Sequence, residues 1–177
     1  MNTDRKTVHY FAYGSNMSLW RFRQRVPSGQ PCGVAVLHGH VLAFHKRGVD
    51  GSAKCGIVAT GNPASRVYGV MYVFDLDQLR QLDLAEGNGY CYQRQTVEVD
   101  LGGGSLLEAQ CYFATDAEAG LLPYGWYREH VLVGARQAGL PAWYVADIEE
   151  LVCQHDPDPR RHARELSVYA PAALQAI

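Results

Sequence analysis

Apolar and polar positions alternate with a strand-like period over the first two-thirds of the chain and shift to helical spacing over the last third. Residues 8–12 (VHYFA) form an aromatic run that predicts a first strand, ending abruptly at Tyr13-Gly14-Ser15-Asn16. Residues 18–25 predict a short helix with Ser18 as N-cap and Pro27 beyond its end. Residues 34–44 read as extended sequence bent or bulged at Gly39. Residues 56–60 and 67–74 (VYGVMYVF) predict two more strands, and residues 75–83 then place Leu76, Leu79 and Leu82 on one side of a helix. Residues 92–101 and 106–115 predict a hairpin through Gly102-Gly103-Gly104-Ser105, a glycine run explained by the turn and not a phosphate loop. Two helices are expected at 126–138 and 142–154, broken at Gly139-Leu140-Pro141. The remainder, from about residue 156, opens as a polar loop and predicts a short terminal helix or a docked tail. Strands followed by helices imply an α+β fold with a curved or barrel-like sheet.

The chain has 177 residues, enough for one domain, residues 1–177, with a C-terminal extension and a core that needs no disulfide staples. A formal net charge of −2 argues against nucleic-acid binding. Five scattered cysteines (Cys32, Cys55, Cys91, Cys111, Cys153) contain no C-x-x-C pair and suggest neither zinc nor a disulfide framework. The opening MNTDRKTVHY lacks an apolar signal segment, and no stretch is long and apolar enough to span a membrane. A cytoplasmic location is therefore expected, where the sequon Asn16-Met17-Ser18 would go unmodified.

Two stretches carry candidate chemistry. A strand ending in Tyr13-Gly14-Ser15-Asn16 has two readings: a turn built from turn-forming residues, or a loop whose backbone N–H groups face an anionic ligand. Glu86, in LAEGNGYCY, closes an apolar helix face before a Gly-Asn-Gly turn. A carboxylate set among aromatic and aliphatic groups loses solvation, which raises its pKa and suits it to take and give a proton near neutral pH. Asp77 is assigned to the first turn of its helix, and Asp83 to a solvent or capping position. His38 and His40 lie two apart without a third ligand, so no metal is expected. His45 and His130 read as surface or partner-satisfied residues, and Arg21, Arg23 and Arg25 (RFRQR) as a solvated helix side.

The YGSNM loop after the first strand, VYGVMYVFDLDQLRQLDLAEG with its Glu, and YREHVLVGA followed by GLP occur in an order that resembles the γ-glutamylcyclotransferase family, over residues 8–151. The resemblance implies a small mixed β-barrel with flanking helices and no cofactor. It implies an enzyme in which the α-amine of a γ-glutamyl substrate attacks its own γ-carbonyl and releases 5-oxoproline. Glu86 matches the family's proton shuttle. Tyr10, Phe11, Ala12, Tyr13, Gly14 and Ser15 match its substrate-binding segment, and Tyr127 and Tyr92 match further pocket tyrosines. The partner implied is a small γ-glutamyl molecule, with no nucleic acid and no membrane. A homodimer is implied by the family alone. Three alternatives stay open on sequence: the same chemistry on a γ-glutamylamine or a γ-glutamyl-protected biosynthetic intermediate, a non-catalytic binding module, and a thiol amidohydrolase using Cys91 or Cys55.

Overall fold

A computed structural model describes residues 5–170. Five strands close into a mixed barrel in the order β1 (Thr7–Ala12), β5 (Arg66–Asp75), β2 (Gln30–His38), β6 (Tyr92–Asp100), β7 (Leu106–Ala114). Every neighbouring pair is antiparallel except β7 with β1, which pair in parallel at Tyr10 and Gln110 and so close the barrel. Strands β3 (His40–Arg47) and β4 (Ala53–Ala59) form a separate two-stranded sheet inserted between β2 and β5. Five helices flank the strands: α1 (Leu19–Arg25), α2 (Leu79–Glu86), α3 (Gly125–Gln137), α4 (Ala142–Glu149) and α5 (Pro159–Leu166).

The extended run expected at 34–44 is two strands in two different sheets, with Gly39 at the junction. His38 and His40 consequently do not share a strand face. His38 Nε2 meets Asp100 at 3.2 Å, His40 Nδ1 meets the His38 carbonyl at 2.8 Å, and no cluster of metal-ligating side chains occurs among the described residues. Strand β2 also begins earlier than expected, and Pro31, which lacks a ladder donor, sits where its pairing with β5 is irregular. Helix α4 stops at Glu149, short of the expected 154. The Arg128 guanidinium takes up the carbonyls of Glu149 and Leu151 at 2.9 and 3.0 Å, and the chain turns to pair Gln154 with Tyr124.

The barrel interior and its capped end are aromatic. Phe22 of α1 is fully buried, with its ring centroid 4.1 Å from that of Tyr72 and 5.5 Å from that of Tyr10. This anchor seats α1 across the barrel end. Arg21 and Arg25, four residues apart, then share one helix side and face inward over the strands. Helix α3 packs on the loop after β1, and α5 docks on α3. No helix among the described residues is long and apolar enough to cross a membrane.

Candidate active site

Where the β1 chain leaves the barrel, residues 13–16 turn through a single 3₁₀ turn (Ser15–Met17) and close one side of a cavity of about 290 Å³. The wall contains Tyr10, Tyr13, Gly14, Ser15 and Asn16 from this segment and Glu86 from the end of α2. Cys55, Tyr92, Tyr112 and Tyr127 complete it from β4, β6, β7 and α3. Gly87 ends α2 immediately after Glu86 with φ +61° and ψ 48°, a left-handed cap that favours glycine, so the helix stops with the carboxylate at its tip. Phe11 and Ala12, expected among the substrate contacts, are fully buried core residues outside the cavity wall. Strand alternation is the reason for Phe11, whose side chain leaves on the face opposite to Tyr10.

Glu86 is not enclosed by apolar groups alone, as its sequence context suggests. Its Oε1 accepts from Arg25 Nη1 at 2.5 Å and from Asn16 Nδ2 at 2.8 Å, and its side chain is 13 % exposed. Arg25 Nη1 also donates to Asn16 Oδ1 at 2.9 Å, and Asn16 Nδ2 reaches the Tyr10 hydroxyl at 3.0 Å. This network fixes the orientation of the Asn16 amide, with its NH2 toward Glu86 and its oxygen toward Arg25. Among the described residues Glu86 Oε2 has no protein hydrogen bond, so one carboxylate oxygen is held and the other is uncommitted on a residue that lines the cavity.

The loop leaves donors available. Met17 and Ser18 N–H donate to the Gly14 and Ser15 carbonyls, whereas the amides of Gly14, Ser15 and Asn16 meet no protein acceptor among the described residues. Ser15 and Asn16 are buried and Gly14 is half-buried, and three successive amides without an acceptor suit an anionic or carbonyl oxygen.

The tyrosines are mostly committed to the protein. Tyr13 donates its hydroxyl to the Tyr112 carbonyl at 2.5 Å. Tyr127 accepts from the Cys55 N–H at 2.9 Å, and Tyr92 donates to the Cys55 carbonyl at 2.7 Å. The two hydroxyls engage the N–H and the carbonyl of one β4 residue, Cys55, which lines the cavity. Burial raises the pKa of Tyr10, Tyr13, Tyr92 and Tyr127, keeping them protonated. Burial also pushes the Cys55 thiol up to about 12. That opposes the thiolate an amidohydrolase nucleophile would need.

Three assignments made from sequence change. Asp83 is no mere cap: its Oδ1 accepts from Tyr112 Oη at 2.8 Å and Asn88 Nδ2 at 3.1 Å and lies 3.0 Å from Arg94 Nε as an ion pair, tying α2 to the β6–β7 hairpin. Arg25 faces the candidate site and not solvent. Arg21 does likewise, donating from Nε to Ser15 Oγ at 3.2 Å and from Nη1 to Glu165 Oε2 at 3.1 Å. The four-residue spacing of Arg21 and Arg25 around an apolar Phe22 was the available signal. Their ion partners are 144 and 61 residues away, which no local pattern shows.

The C-terminal segment reaches the same region. Asp158 caps α5 by accepting from the Arg160 and Arg161 amides, and Asp156 accepts from the buried Trp126 indole at 2.7 Å. Tyr169 Oη lies 2.7 Å from His130 Nδ1 and donates to Ser18 Oγ at 3.0 Å. Ser18 therefore occupies the N-cap position of α1, but its hydroxyl serves the tail and not the helix amides. Arg21 Nη1 faces His130 Nε2 at 3.2 Å, so the network assigns a neutral ring that accepts at Nε2 and donates from Nδ1. Residues 171–177 of the expected tail lie outside the described residues.

His130 is fully buried, and burial, reinforced by Arg21, Arg25 and Lys54, pushes its pKa down to about 3. Glu165 lies 3.7 Å from its Nε2, but Arg21 occupies both groups. Because the folded pKa lies below the unfolded value of about 6.5, the unfolded chain takes the extra proton. The contribution of neutral His130 to stability is complete above that value and is lost as pH falls toward 3. Between pH 6.5 and 5 the loss is about 2 kcal/mol. The stability advantage of the wild type over His130→Gln, measured by urea unfolding, is expected to shrink by that amount over this range. A constant difference would show that His130 is protonated in the folded protein.

Comparison with known proteins is consistent with this geometry. Residues 66–148 match the model of the AIG2-like family. Gamma-glutamylcyclotransferase of Homo sapiens is 31% identical over 152 residues, spanning 84% of this chain and 80% of the relative. That of Mus musculus is 31% identical over 150 residues, spanning 82% and 79%. A solved structure described as gamma-glutamyl cyclotransferase superposes with a TM-score of 0.79 at 25% identity, covering 86% of this chain and 92% of the other.

Proposed function

We propose, on the premise that the chain belongs to the gamma-glutamylcyclotransferase (AIG2-like) family, that it cyclises a γ-glutamyl amide to 5-oxoproline and releases the amine. The observation that carries this reading is Glu86, with one oxygen clamped by Arg25 and Asn16, lining a small cavity together with the loop whose Gly14, Ser15 and Asn16 amides meet no protein acceptor among the described residues.

The reaction needs no enzyme nucleophile, because the substrate brings its own. A pocket that folds the γ-glutamyl group so that its α-amine lies against its γ-carbonyl exploits a large effective molarity. The α-amine, with a reference pKa of about 7.7–8.0, is mostly an ammonium at neutral pH and must lose a proton to attack. In this reading Glu86 Oε2 takes that proton and returns it to the departing nitrogen as the C–N bond breaks. The Gly14, Ser15 and Asn16 amides hold the oxygen that gathers negative charge or the substrate α-carboxylate. Arg25 and Asn16 act on Glu86, fixing the carboxylate at the cavity wall and leaving Oε2 uncommitted. The buried tyrosines shape the site: Tyr13, Tyr92 and Tyr127 spend their hydroxyls on the backbone and present ring faces to the ligand. On the same reading the chain acts as one domain, with the segment from about 156 supporting the loop through Glu165 and Tyr169.

Purified protein incubated with γ-glutamyl-alanine, without added metal, is expected to release 5-oxoproline and alanine in equal amounts, followed by mass spectrometry. Release of glutamate in place of 5-oxoproline would mean hydrolysis and would overturn the cyclisation. Tight binding of γ-glutamyl compounds without any product would make the chain a binding protein.

A further inference from the structure

A second cavity of about 870 Å³ opens beside the first and shares Ser15, Glu86, Tyr92 and Tyr127 with it as common wall. If the γ-glutamyl group occupies the smaller space, the part of the substrate beyond the scissile bond must pass into this larger one. Its charged lining is one-sided: Arg21 and Arg25 from α1, Lys46, Arg47 and Lys54 from the β3–β4 sheet, and Glu86 as the single carboxylate. Other carboxylates that pair with these cations, Asp50, Asp116, Glu118 and Glu165, stand outside the wall. A ligand entering the vestibule therefore meets cations first, and low-dielectric walls focus their field.

Arg21 and Arg25 are committed to groups of the site itself, Ser15, Glu165 and Glu86, whereas Lys46, Arg47 and Lys54 of the sheet pair with Asp116, Glu118 and Asp50 outside the vestibule wall. Lys54 is 16 % exposed at its side chain. Its ammonium is held at 2.7 Å by both Asp50 and Ser52, 4.5 Å from the Trp126 ring centre and 4.7 Å from that of Tyr127. Burial draws its pKa down, so an additional anion would relieve its desolvation. Arg47 engages Glu118 through Nε and Nη2, and among the described residues its Nη1 has no partner. The Asp116 and Glu118 carboxylates are 63% and 48% exposed, and surface pairs of that kind hold their cations weakly. A ligand carboxylate in the vestibule competes with them for Lys46 and Arg47.

We infer that this vestibule binds the leaving portion of the substrate and selects one with two carboxylates, so that the preferred substrate is a γ-glutamyl conjugate of an acidic amino acid. The inference rests on the cyclotransferase reading above and adds the class of the leaving group. One carboxylate would engage a single cation of the sheet; the second makes use of the span from Lys54 to Arg47.

Gamma-glutamyl-glutamate and γ-glutamyl-glutamine have the same shape and differ by one charge, so their kcat/KM values for 5-oxoproline release at low ionic strength isolate the effect, with γ-glutamyl-alanine as reference. A charge-assisted contact of this kind predicts a preference of about tenfold or more for the glutamate conjugate, expressed mainly in KM. The preference is expected to fall several-fold in Arg47→Gln, an exposed position whose replacement is compatible with folding, and again in high salt. Equal kcat/KM for the two conjugates, or a preference for the glutamine conjugate, overturns the inference while leaving cyclisation intact. A preference that survives unchanged in Arg47→Gln and in Lys46→Gln overturns its assignment to this vestibule. If none of the three compounds yields 5-oxoproline, the cyclotransferase reading itself fails and this one with it.

Discussion

Glu86→Gln is expected to lower 5-oxoproline formation from γ-glutamyl-alanine by about 10²–10⁴-fold, the usual contribution of a positioned general acid–base group. The amide keeps the shape of the carboxylate and still offers an oxygen to Asn16 Nδ2 and Arg25 Nη1, so the clamp on that side can persist. What it removes is the proton capacity of Oε2. The loss should therefore appear in kcat with little change in KM, because binding of the γ-glutamyl group falls to the loop amides and the tyrosine walls. Loss of charge opposite Arg25 costs stability as well. The pair is mostly buried, with side chains 23% and 13% exposed. The introduced amide can still accept from Arg25, and Arg25 keeps its bond to Asn16 Oδ1, so that cost is about 2 kcal/mol. A thermal melt will show it as a lowered midpoint and not as loss of the fold. Asp83→Asn is the matching control. It lies three residues earlier in α2 but is tied to Tyr112, Asn88 and Arg94, so it should lower stability while retaining far more turnover than Glu86→Gln. Full activity in Glu86→Gln would remove this carboxylate from the chemistry.

Gly134→Ala is expected to be the most damaging small substitution in the helical layer. A Cβ at this position would stand 2.4 Å from the Met17 carbonyl carbon, 2.4 Å from the Ser18 nitrogen and 2.5 Å from Met17 Cβ. Two of those three atoms are backbone, so no side-chain rotation relieves the contact. Either α3 lifts away or the segment carrying Ser15 and Asn16 moves. Ala is favoured over Gly within a helix by about 1 kcal/mol. Overpacking against rigid backbone costs about 3 kcal/mol or more, leaving a net loss of roughly 2 kcal/mol. Urea unfolding measures that loss. Turnover should fall together with it, since the loop that moves is the one with the free amides. Gly125→Ala, at the first residue of the same helix with open space around it, is expected to change stability by less than about 0.5 kcal/mol. Equal stability of Gly134→Ala and wild type would show that α3 does not set the position of the loop.

Most of the secondary structure was legible in the chain because period and turn chemistry are local. Residues 67–74 read as a strand and lie within β5, the Gly102–Ser105 turn joins β6 to β7, and Gly139-Leu140-Pro141 separates α3 from α4. Errors fell where a distant group overrides the local pattern. The residues 34–44 run looks continuous, yet its two halves belong to different sheets because β2 finds its partner in β5 and β3 finds one in β4. Helix α4 ends early where Arg128, on another helix, donates to the carbonyls of its last residue, Glu149, and of Leu151 just beyond it.

The candidate site divides along the same line. That residues 13–16 turn and that Glu86 sits at a glycine-terminated helix end follow from residue types in sequence: small residues free the backbone, and Gly87 stops the helix with the acid at its tip. Those features, in their order, also sufficed to place the chain in its family. Tertiary structure alone decided which charges meet. Arg25 reaches Glu86 across 61 residues of chain, Glu165 reaches Arg21 across 144, and Tyr92 and Tyr127 turn their hydroxyls to Cys55. Hydrophobic periodicity specifies which face of an element is buried, but it carries no record of the polar group that burial will bring opposite. Ion pairs and buried hydroxyl contacts are settled only when the barrel closes and α1, α3 and the C-terminal segment pack around its open end.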